Sequence, residues 1–496
     1  MSWWTTAPSP ALHRRGGSDS VDCTRETSGI VIIRVRAISR ARLGALLILV
    51  SLPGTVGCFS EQSFSIRASD IVHVSSDAMR SPVSTRQWLA RTHQALCHLL
   101  PLFSVKSLLT DDLTDERGRP VDVFAHFGRN PALLQTLFFN YWGLAGTAQS
   151  SGRSFQPEHP SSPWPGFEEV RIPVSDNVET IGWLGLARSG DTVRDADCIV
   201  ILSGLLGHND IKRTEDLAVA LRAVGFHVLA YENRGYGRSD LARPEVPYTF
   251  GVMATRDLML VSDWLEALPH VRRTGLVGYC WSANQALLAA WYENLPEDDD
   301  NISAGIAKHL PPLPARRRFR AGVVAFSPTL AYEEIIDKLE TPQSYSHEPV
   351  LAFLQDAVRD RMLAKHYPEV SGSLGKLIDL EFARSKLYYP GVVRDSLRFM
   401  RWLPYRGLPA GDKLSAVRIP TLIVHASNDP LATAQEVADL VAGVHNPNVA
   451  AVIHDYGGHV AFSSHARRYY YSLIVNFFDP EVGAAAMTTS PMASSR

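Results

Sequence analysis

The chain has 496 residues, of which 45% are hydrophobic and 20% are charged, and its formal net charge at pH 7 is −2. This composition is typical of a soluble globular protein, and the length suffices for one large domain with appendages or for two to three ordinary domains. Because neither sign of charge dominates, we expect no nucleic acid partner. The five cysteines are scattered and form no CxxC pair, which argues against a disulfide framework and against a metal site.

Residues 1–58 are predicted to hold a lipoprotein-type signal. Four arginines, an apolar stretch and small residues precede Cys58, in the order found in secretory signals. The ending Val-Gly-Cys resembles a bacterial lipoprotein signal with Cys58 as the lipidated residue, although Thr55 stands where Leu is usual. We therefore expect an exported, membrane-associated protein held by an acyl chain. An uncleaved anchor and a buried helix remain alternatives, and without export the protein would be cytoplasmic.

Residues 59–165 are predicted to form a helical extension that ends in a linker. Apolar residues between Trp88 and Leu99 recur at three- and four-residue spacings, which predicts an amphipathic helix. Cys97 falls within this stretch, and we expect it to be a small core residue. The segment 147–166 is rich in Ser, Pro and Gly, as linkers are.

Beyond this linker, short apolar runs alternate with amphipathic segments. EEVRIPV and ETIGWLGLA predict an antiparallel hairpin, whereas Asp197–Gly204 is a continuous apolar run typical of a buried parallel strand. The alternation predicts a mostly parallel central sheet with helices on both faces, in two core parts over 166–330 and 419–480. Between them, residues 331–418 are predicted to form a helical lid. Residues 481–496 are predicted to be a disordered tail.

The sequence GYCWS (278–282) has the form of a nucleophile elbow, G-x-S-x-G, with Cys280 at its apex. The central residue of such a turn is strained, and its neighbours two positions away must be small because two backbones pass close together. The dipole of the following helix favours a thiolate at Cys280. A buried inert cysteine is the alternative. Ser282 is a poor candidate nucleophile, because it lies inside the start of the helix.

Three further segments supply the other parts of an acyl-transfer site, in the chain order nucleophile, acid, histidine. The turn LSGLLGHND is expected to offer the N–H of Leu205, beside that of Trp281, to a developing oxyanion. Asp429, in HASNDPLA, can orient an imidazole. His459, in DYGGHVAF, can then act as general base toward Cys280. Taken singly, each segment could be an ordinary turn.

Together these motifs resemble those of the α/β-hydrolases, and more closely those of the YheT/embryogenesis-associated group. The similar segments are NPALLQTL, LSGLLGHND, VLAYENRGYGRSD, VGYCWSANQALL, IPTLIVHASNDPLA and YGGHVAF. The resemblance implies an α/β-hydrolase fold, carboxylester or acylglycerol hydrolysis without a cofactor, and a small ester or lipid-like substrate. It places Cys280, Asp429 and His459 in the triad positions. The group carries Ser in an elbow like Ser-Leu-Gly-Gly, whereas this chain reads CWSA from Cys280.

We therefore predict a hydrolase that cleaves carboxylic ester, thioester or lactone bonds through a Cys-His-Asp triad and a covalent acyl-enzyme. An acyltransferase is an alternative, because a thioester can pass its acyl group to acceptors other than water. A non-catalytic relative that binds an acyl-like ligand is another alternative. A redox-sensing thiol at Cys280 is the third.

Overall fold

The structure, a computed structural model, describes residues 67–74, 84–100, 107–108, 162–209, 211–295, 299–310, 317–342, 349–427, 429, 431–442, 444–454, 457–460, 462 and 466–478. The predicted signal up to Cys58, most of the predicted linker and the predicted tail 481–496 lie outside these residues. The domain boundaries given above therefore stay predictions.

Eleven strands lie in the described part of the chain, and nine of them form one sheet. Their bounds, in chain order, are β1 (Ser107–Leu108), β2 (Glu168–Pro173), β3 (Glu179–Gly185), β4 (Arg188–Ser189), β5 (Thr192–Val193), β6 (Ala196–Leu202), β7 (His227–Tyr231), β8 (Val271–Tyr279), β9 (Gly322–Phe326), β10 (Thr421–Ala426) and β11 (Val449–His454). Strands β4 and β5 form a separate small hairpin.

The large sheet has the order β1-β11-β10-β9-β8-β6-β7-β3-β2. Its six strands from β6 to β11 run parallel, while β1 and β3 pair antiparallel with their neighbours. Strands β6, β7, β9, β10 and β11 are buried along their whole length, which explains their continuous apolar runs. The structure thus confirms the predicted α/β-hydrolase fold with its mostly parallel sheet, and the predicted hairpin is β2–β3.

Helices separate the parallel strands. Their bounds are α1 (Thr85–Leu96), α2 (Lys212–Ala223), α3 (Gly237–Ala242), α4 (Val252–Glu266), α5 (Trp281–Tyr292), α6 (Ala304–Ala307), α7 (Tyr332–Glu340), α8 (Pro349–Ala364), α9 (Leu374–Arg384), α10 (Val392–Met400), α11 (Ala434–Ala442) and α12 (Arg467–Phe478). Helices α7 to α10 follow one another between β9 and β10, in the range where a lid is predicted. Within the described ranges, every helix is too short or too polar to cross a membrane.

Helix α1 forms where the apolar spacing predicts it. The side chain of Ser84 caps its first turn, and Trp88, Leu89 and Leu96 are buried. The expectation for Cys97 is wrong, because this residue is exposed. The α-helix ends at Leu96 and the chain continues as a 3-10 turn, which changes the direction in which the next side chains point.

The strand order determines where the loops of the site meet. Strand β6 lies between β7 and β8, and Leu202 at its end pairs with Gly278 of β8. The chain therefore leaves β6 toward one side of the sheet and crosses to the other side for β8. Such a switch point, at the carboxyl ends of parallel strands, is where α/β proteins bind ligands. The turns after β10 and β11 end at the same edge, because these two strands are parallel neighbours.

Candidate active site

Cys280 stands between the end of β8 and the start of α5, as the elbow motif predicts. Its φ of 57° and ψ of −122° lie in a region that L-residues rarely adopt. Its backbone N–H donates to the carbonyl of Phe326 at 2.9 Å, and its own carbonyl accepts the N–H of Ala283 at 3.0 Å. These bonds to a neighbouring strand and to the helix hold the strained residue in place, with its side chain only 8% exposed.

Small residues let the elbow form and join it to the loop after β6. A β-carbon at Gly278 would lie 2.3 Å from the carbonyl oxygen of Ser282, so only glycine fits there. The hydroxyl of Ser282 donates to the carbonyl of Ser203, a role that the motif did not reveal. A β-carbon at Gly204 would lie 3.0 Å from that of Cys280. The nucleophile turn and the β6 loop therefore touch.

Both donors predicted for the oxyanion hole reach the sulfur of Cys280. The backbone N–H groups of Leu205 and Trp281 lie beside Sγ, and each lowers the pKa of the thiol. Leu206, with a φ of 58°, turns the β6 loop directly after the first donor. A pair of donors aimed at the sulfur is also within reach of an oxygen on a carbon bonded to that sulfur. Two backbone donors beside a nucleophile are the groups that an oxyanion hole requires.

His459 and Asp429 meet at the ends of two neighbouring strands. Nδ1 of His459, in the turn after β11, lies 2.8 Å from Oδ2 and 3.0 Å from Oδ1 of Asp429, in the turn after β10. Oδ1 also accepts the N–H groups of Leu431 at 2.9 Å and Ala432 at 3.1 Å. The carboxylate is thereby fixed, and it fixes the imidazole in turn.

The other side of the imidazole interacts with Cys280. Nε2 of His459 is buried and makes no well-aligned hydrogen bond within the described residues, but the ring lies close enough to Cys280 for each group to shift the pKa of the other. Burial raises the pKa of the Cys280 thiol, but the charge and hydrogen bond of His459 and the two backbone N–H groups outweigh it, so the net pKa is lowered. Burial lowers the pKa of His459, but Asp429 and Cys280 raise it to about 10.

Asp429 completes this charge arrangement. Burial raises the pKa of its carboxyl group, but the charge and hydrogen bond of His459, the charge of His425 and the N–H of Ala432 together outweigh burial, so the net pKa is lowered. A lowered thiol pKa beside a raised imidazole pKa favours a thiolate–imidazolium pair over a thiol beside a neutral imidazole. The structure thus brings together all five residues predicted for the site: Cys280, Asp429, His459, Leu205 and Trp281.

Aromatic residues around the elbow were not predicted from the sequence. Tyr236, after β7, and Tyr248 and Phe250, before α4, are buried, and so is Tyr332 at the start of α7. The rings of Phe250 and Tyr332 contact that of Trp281, with centroids 5.6 Å and 4.1 Å apart, which places them beside the elbow. Because these residues belong to no catalytic motif, only the tertiary structure reveals that they gather here.

Solved structures with a similar fold are enzymes of several kinds. An esterase from Pyrococcus furiosus is 16% identical, with a TM-score of 0.40, and the match covers 65% of this chain and 97% of that chain. Est1E from Butyrivibrio proteoclasticus is 12% identical (TM-score 0.36; 64% and 98% covered). The 2,6-dihydroxy-pseudo-oxynicotine hydrolase is 14% identical (TM-score 0.42; 66% and 70% covered). Sequence identities and TM-scores this low carry no information on the substrate of this protein.

A search of curated protein sequences returns no significant match. The family model described as alpha/beta hydrolase fold matches residues 197–466, which is more than half of the chain. The matched range begins within β6, ends directly before α12, and includes Cys280, Asp429 and His459. The chain therefore belongs to the alpha/beta hydrolase fold family.

Proposed function

We propose that the protein hydrolyses carboxylic ester, thioester or lactone bonds with Cys280 as nucleophile. His459 acts as the acid and base, and Asp429 orients it. The observation that carries this proposal is the environment of one sulfur atom, toward which the imidazole of His459 and the N–H groups of Leu205 and Trp281 all converge. This convergence is what an acyl-transfer reaction requires.

In the first half of the reaction, the thiolate attacks the carbonyl carbon of the substrate and forms a carbon–sulfur bond. The carbonyl π electrons move to the oxygen, where the N–H groups of Leu205 and Trp281 stabilise the negative charge. When the carbonyl re-forms, the bond to the leaving group breaks, and the imidazolium of His459 gives the leaving group its proton. The products are the free alcohol or thiol and a thioester on Cys280; a lactone stays attached as a hydroxyacyl group.

In the second half, the now neutral His459 takes a proton from water while the water oxygen attacks the thioester carbon. The same two N–H groups stabilise the second oxyanion. Its collapse breaks the carbon–sulfur bond, so that the acid leaves and Cys280 returns as a thiolate. The proton stays on His459, which restores the starting ion pair, and Asp429 stabilises the imidazolium throughout.

The choice of substrate class rests on the resemblance of the motif segments to the YheT/embryogenesis-associated group. This resemblance supports carboxylesters or acylglycerols as substrates. The thiolate is consistent with this chemistry, because it exists before the substrate arrives and needs no base during the attack. Transfer of the acyl group from the thioester to another acceptor would use the same first half-reaction, with the acceptor in the place of water.

The direct test is turnover of short-chain p-nitrophenyl esters by wild type and by Cys280→Ala. We expect the substitution to reduce kcat/KM by about a thousandfold or more, because no nucleophile remains. Cys97→Ala is the matched control, and since Cys97 is exposed and belongs to none of the segments that form the site, its turnover should equal that of wild type. Unchanged turnover in Cys280→Ala would refute the proposal. Stoichiometric binding of the ester by wild type without turnover would support a non-catalytic relative instead.

A further inference from the structure

A second histidine closes the turn that carries Asp429. His425 lies near the end of β10, four residues before Asp429, and its side chain is fully buried. Nε2 of His425 lies 3.1 Å from the backbone carbonyl of Ala432, which comes three residues after Asp429. His425 and Ala432 are therefore joined across the turn, and the acid stands between them in the chain.

This contact determines which ring nitrogen of His425 carries a proton. A carbonyl oxygen can only accept a hydrogen bond, so Nε2 donates to Ala432 whether the ring is neutral or charged. The same nitrogen lies 3.9 Å from Oδ2 of Asp429. At this distance no hydrogen bond forms, so His425 can hold the carboxylate in place only through the turn.

Ala432 links the bond from His425 to the carboxylate. Its carbonyl accepts from His425, while its own N–H donates to Oδ1 of Asp429 at 3.1 Å. The N–H of Leu431 donates to the same oxygen at 2.9 Å. Because the carbonyl and the N–H of Ala432 belong to one residue, fixing the carbonyl also fixes the direction of the N–H. Release of the carbonyl would allow these two donors to turn away from the carboxylate.

His425 is a rigid support for this turn, because it belongs to a strand in the interior of the sheet. Strand β10 pairs with β9 on one side and with β11 on the other, and His425 itself is paired with Ile453 of β11. The ladder with β11 ends one residue later, at Ala426, and the turn follows. A functional group that is held from a strand is placed more precisely than one held by a loop alone.

We propose that His425 is a positioning residue for the acid: its Nε2–H holds the turn after β10 in the form that presents Asp429 to His459. This inference rests on the proposed function and adds a residue to its machinery. Oδ2 of Asp429 lies 2.8 Å from Nδ1 of His459, so a small shift of the turn would lengthen this bond. Burial lowers the pKa of His459 and Asp429 raises it, and a longer bond would therefore lower that pKa.

The first test compares ester turnover in His425→Gln and His425→Asn. The amide nitrogen of Gln stands as many bonds from the backbone as Nε2 does, so it can still donate to Ala432, whereas that of Asn is one bond short. Neither side chain is charged, so the pair isolates the reach of the N–H group. With short-chain p-nitrophenyl esters, we expect kcat to fall about tenfold in His425→Asn, with KM within about twofold of wild type, and less than about threefold in His425→Gln.

A second readout needs no turnover. In protein labelled with ¹⁵N-histidine, the ring nitrogens of His459 report its pKa by NMR, and His459→Gln assigns its signals. We expect this pKa to fall by at least about half a pH unit in His425→Asn and to stay near that of wild type in His425→Gln. The ring of His425 in wild type should carry a proton on Nε2. A proton on Nδ1 alone would contradict the proposal, even if His425→Asn does not fold.

His227→Asn is the matched control. His227 is a buried histidine whose Nε2 lies 3.0 Å from the carbonyl of His270, but it stands at the start of β7, at the end of the strand away from the site. Its loss should lower the free energy of unfolding in urea, as that of His425 should, and leave the pKa of His459 unchanged.

Two results would overturn the proposal: the same pKa of His459 in wild type and in His425→Asn, or equal losses in His425→Asn and His425→Gln. The first would show that His425 has a merely structural role, and the second that the N–H group is not what matters. If wild type hydrolyses no ester, the proposed function fails, and the NMR measurements alone decide whether His425 positions Asp429.

Discussion

At the scale of single residues, the site depends on the space that two glycines and one serine leave around Cys280. The positive φ of Cys280 is costly for a residue with a side chain, and it persists because bonds to Phe326 and Ala283 hold it. The strained turn directs the sulfur to the helix N-terminus, where the N–H groups gather. Ser282 then ties the turn to the carbonyl of Ser203 in the β6 loop.

Gly278→Ala tests this close approach. The new methyl group would lie 2.3 Å from the Ser282 carbonyl, and backbone atoms would have to shift. We expect the free energy of unfolding to fall by about 2–3 kcal/mol, measured by urea denaturation, together with a large loss of esterase turnover. Gly375→Ala in α9 is the control, since its β-carbon would lie 3.4 Å from its nearest neighbour, Oε1 of Glu340. It should be neutral or stabilising by up to about 1 kcal/mol, and equal stability of the two variants would contradict the close packing.

At the scale of elements, a buried charge cluster fastens helices α8 and α9 to the loop before α4. Glu381 on α9 accepts from Arg361 on α8 and from the N–H of Tyr248. Lys365 on α8 lies 3.8 Å from the same carboxylate and donates to the carbonyl of Val246 at 2.6 Å. The segment predicted as a lid is thereby joined to the loop that carries Tyr248, so these helices and this loop are expected to move as one.

Glu381→Gln removes the carboxylate charge that Arg361 and Lys365 face. We expect it to lower the free energy of unfolding by about 3–5 kcal/mol in urea denaturation, because removal of one partner of a buried ion pair is costly. Glu245→Gln is the matched control. Glu245 pairs with Arg243 at the surface, where the two side chains are 62% and 49% exposed, and its loss should cost about 0–1 kcal/mol. A similar small effect of both substitutions would show that the cluster does not fasten these helices.

At the scale of the whole molecule, the fold brings together residues that are far apart in the sequence. Leu205, Cys280, Asp429 and His459 follow four different parallel strands, and the strand order alone makes them neighbours. The apolar runs, the elbow motif and the chain order of the triad sufficed to predict the sheet and these residues. They sufficed because each motif stands at the carboxyl end of a recognisable buried strand.

Other features could not be predicted from such patterns. The gathering of aromatic residues around the elbow and the Glu381 cluster arise where the segment between β9 and β10 packs on the β7–α4 loop, and a contact of this kind has no periodicity in the sequence. Cys97 was expected in the core because the apolar spacing continues past Leu96. The helix ends at that residue, and the ends of helices are the least predictable part of an element.

The pKa of the Cys280 thiol depends at once on the four segments that form the site: the β6 loop, the elbow, and the turns after β10 and β11. The account requires it to lie below the ordinary value of a cysteine thiol, with burial opposed by His459 and by the N–H groups of Trp281 and Leu205. Removal of the imidazole leaves burial as the main influence, and burial raises the pKa. The thiolate would then exist only at higher pH.

The most direct test is the rate of iodoacetamide alkylation of Cys280, followed by peptide mass spectrometry between pH 5 and pH 10 in wild type and in His459→Gln. The account predicts a wild-type midpoint below the ordinary cysteine pKa. It also predicts a midpoint shifted to higher pH by at least about one unit in His459→Gln, since the favourable charge and hydrogen bond are lost. A wild-type midpoint at or above the ordinary value, or the same profile in both proteins, would contradict a thiolate–imidazolium pair at the centre of this site.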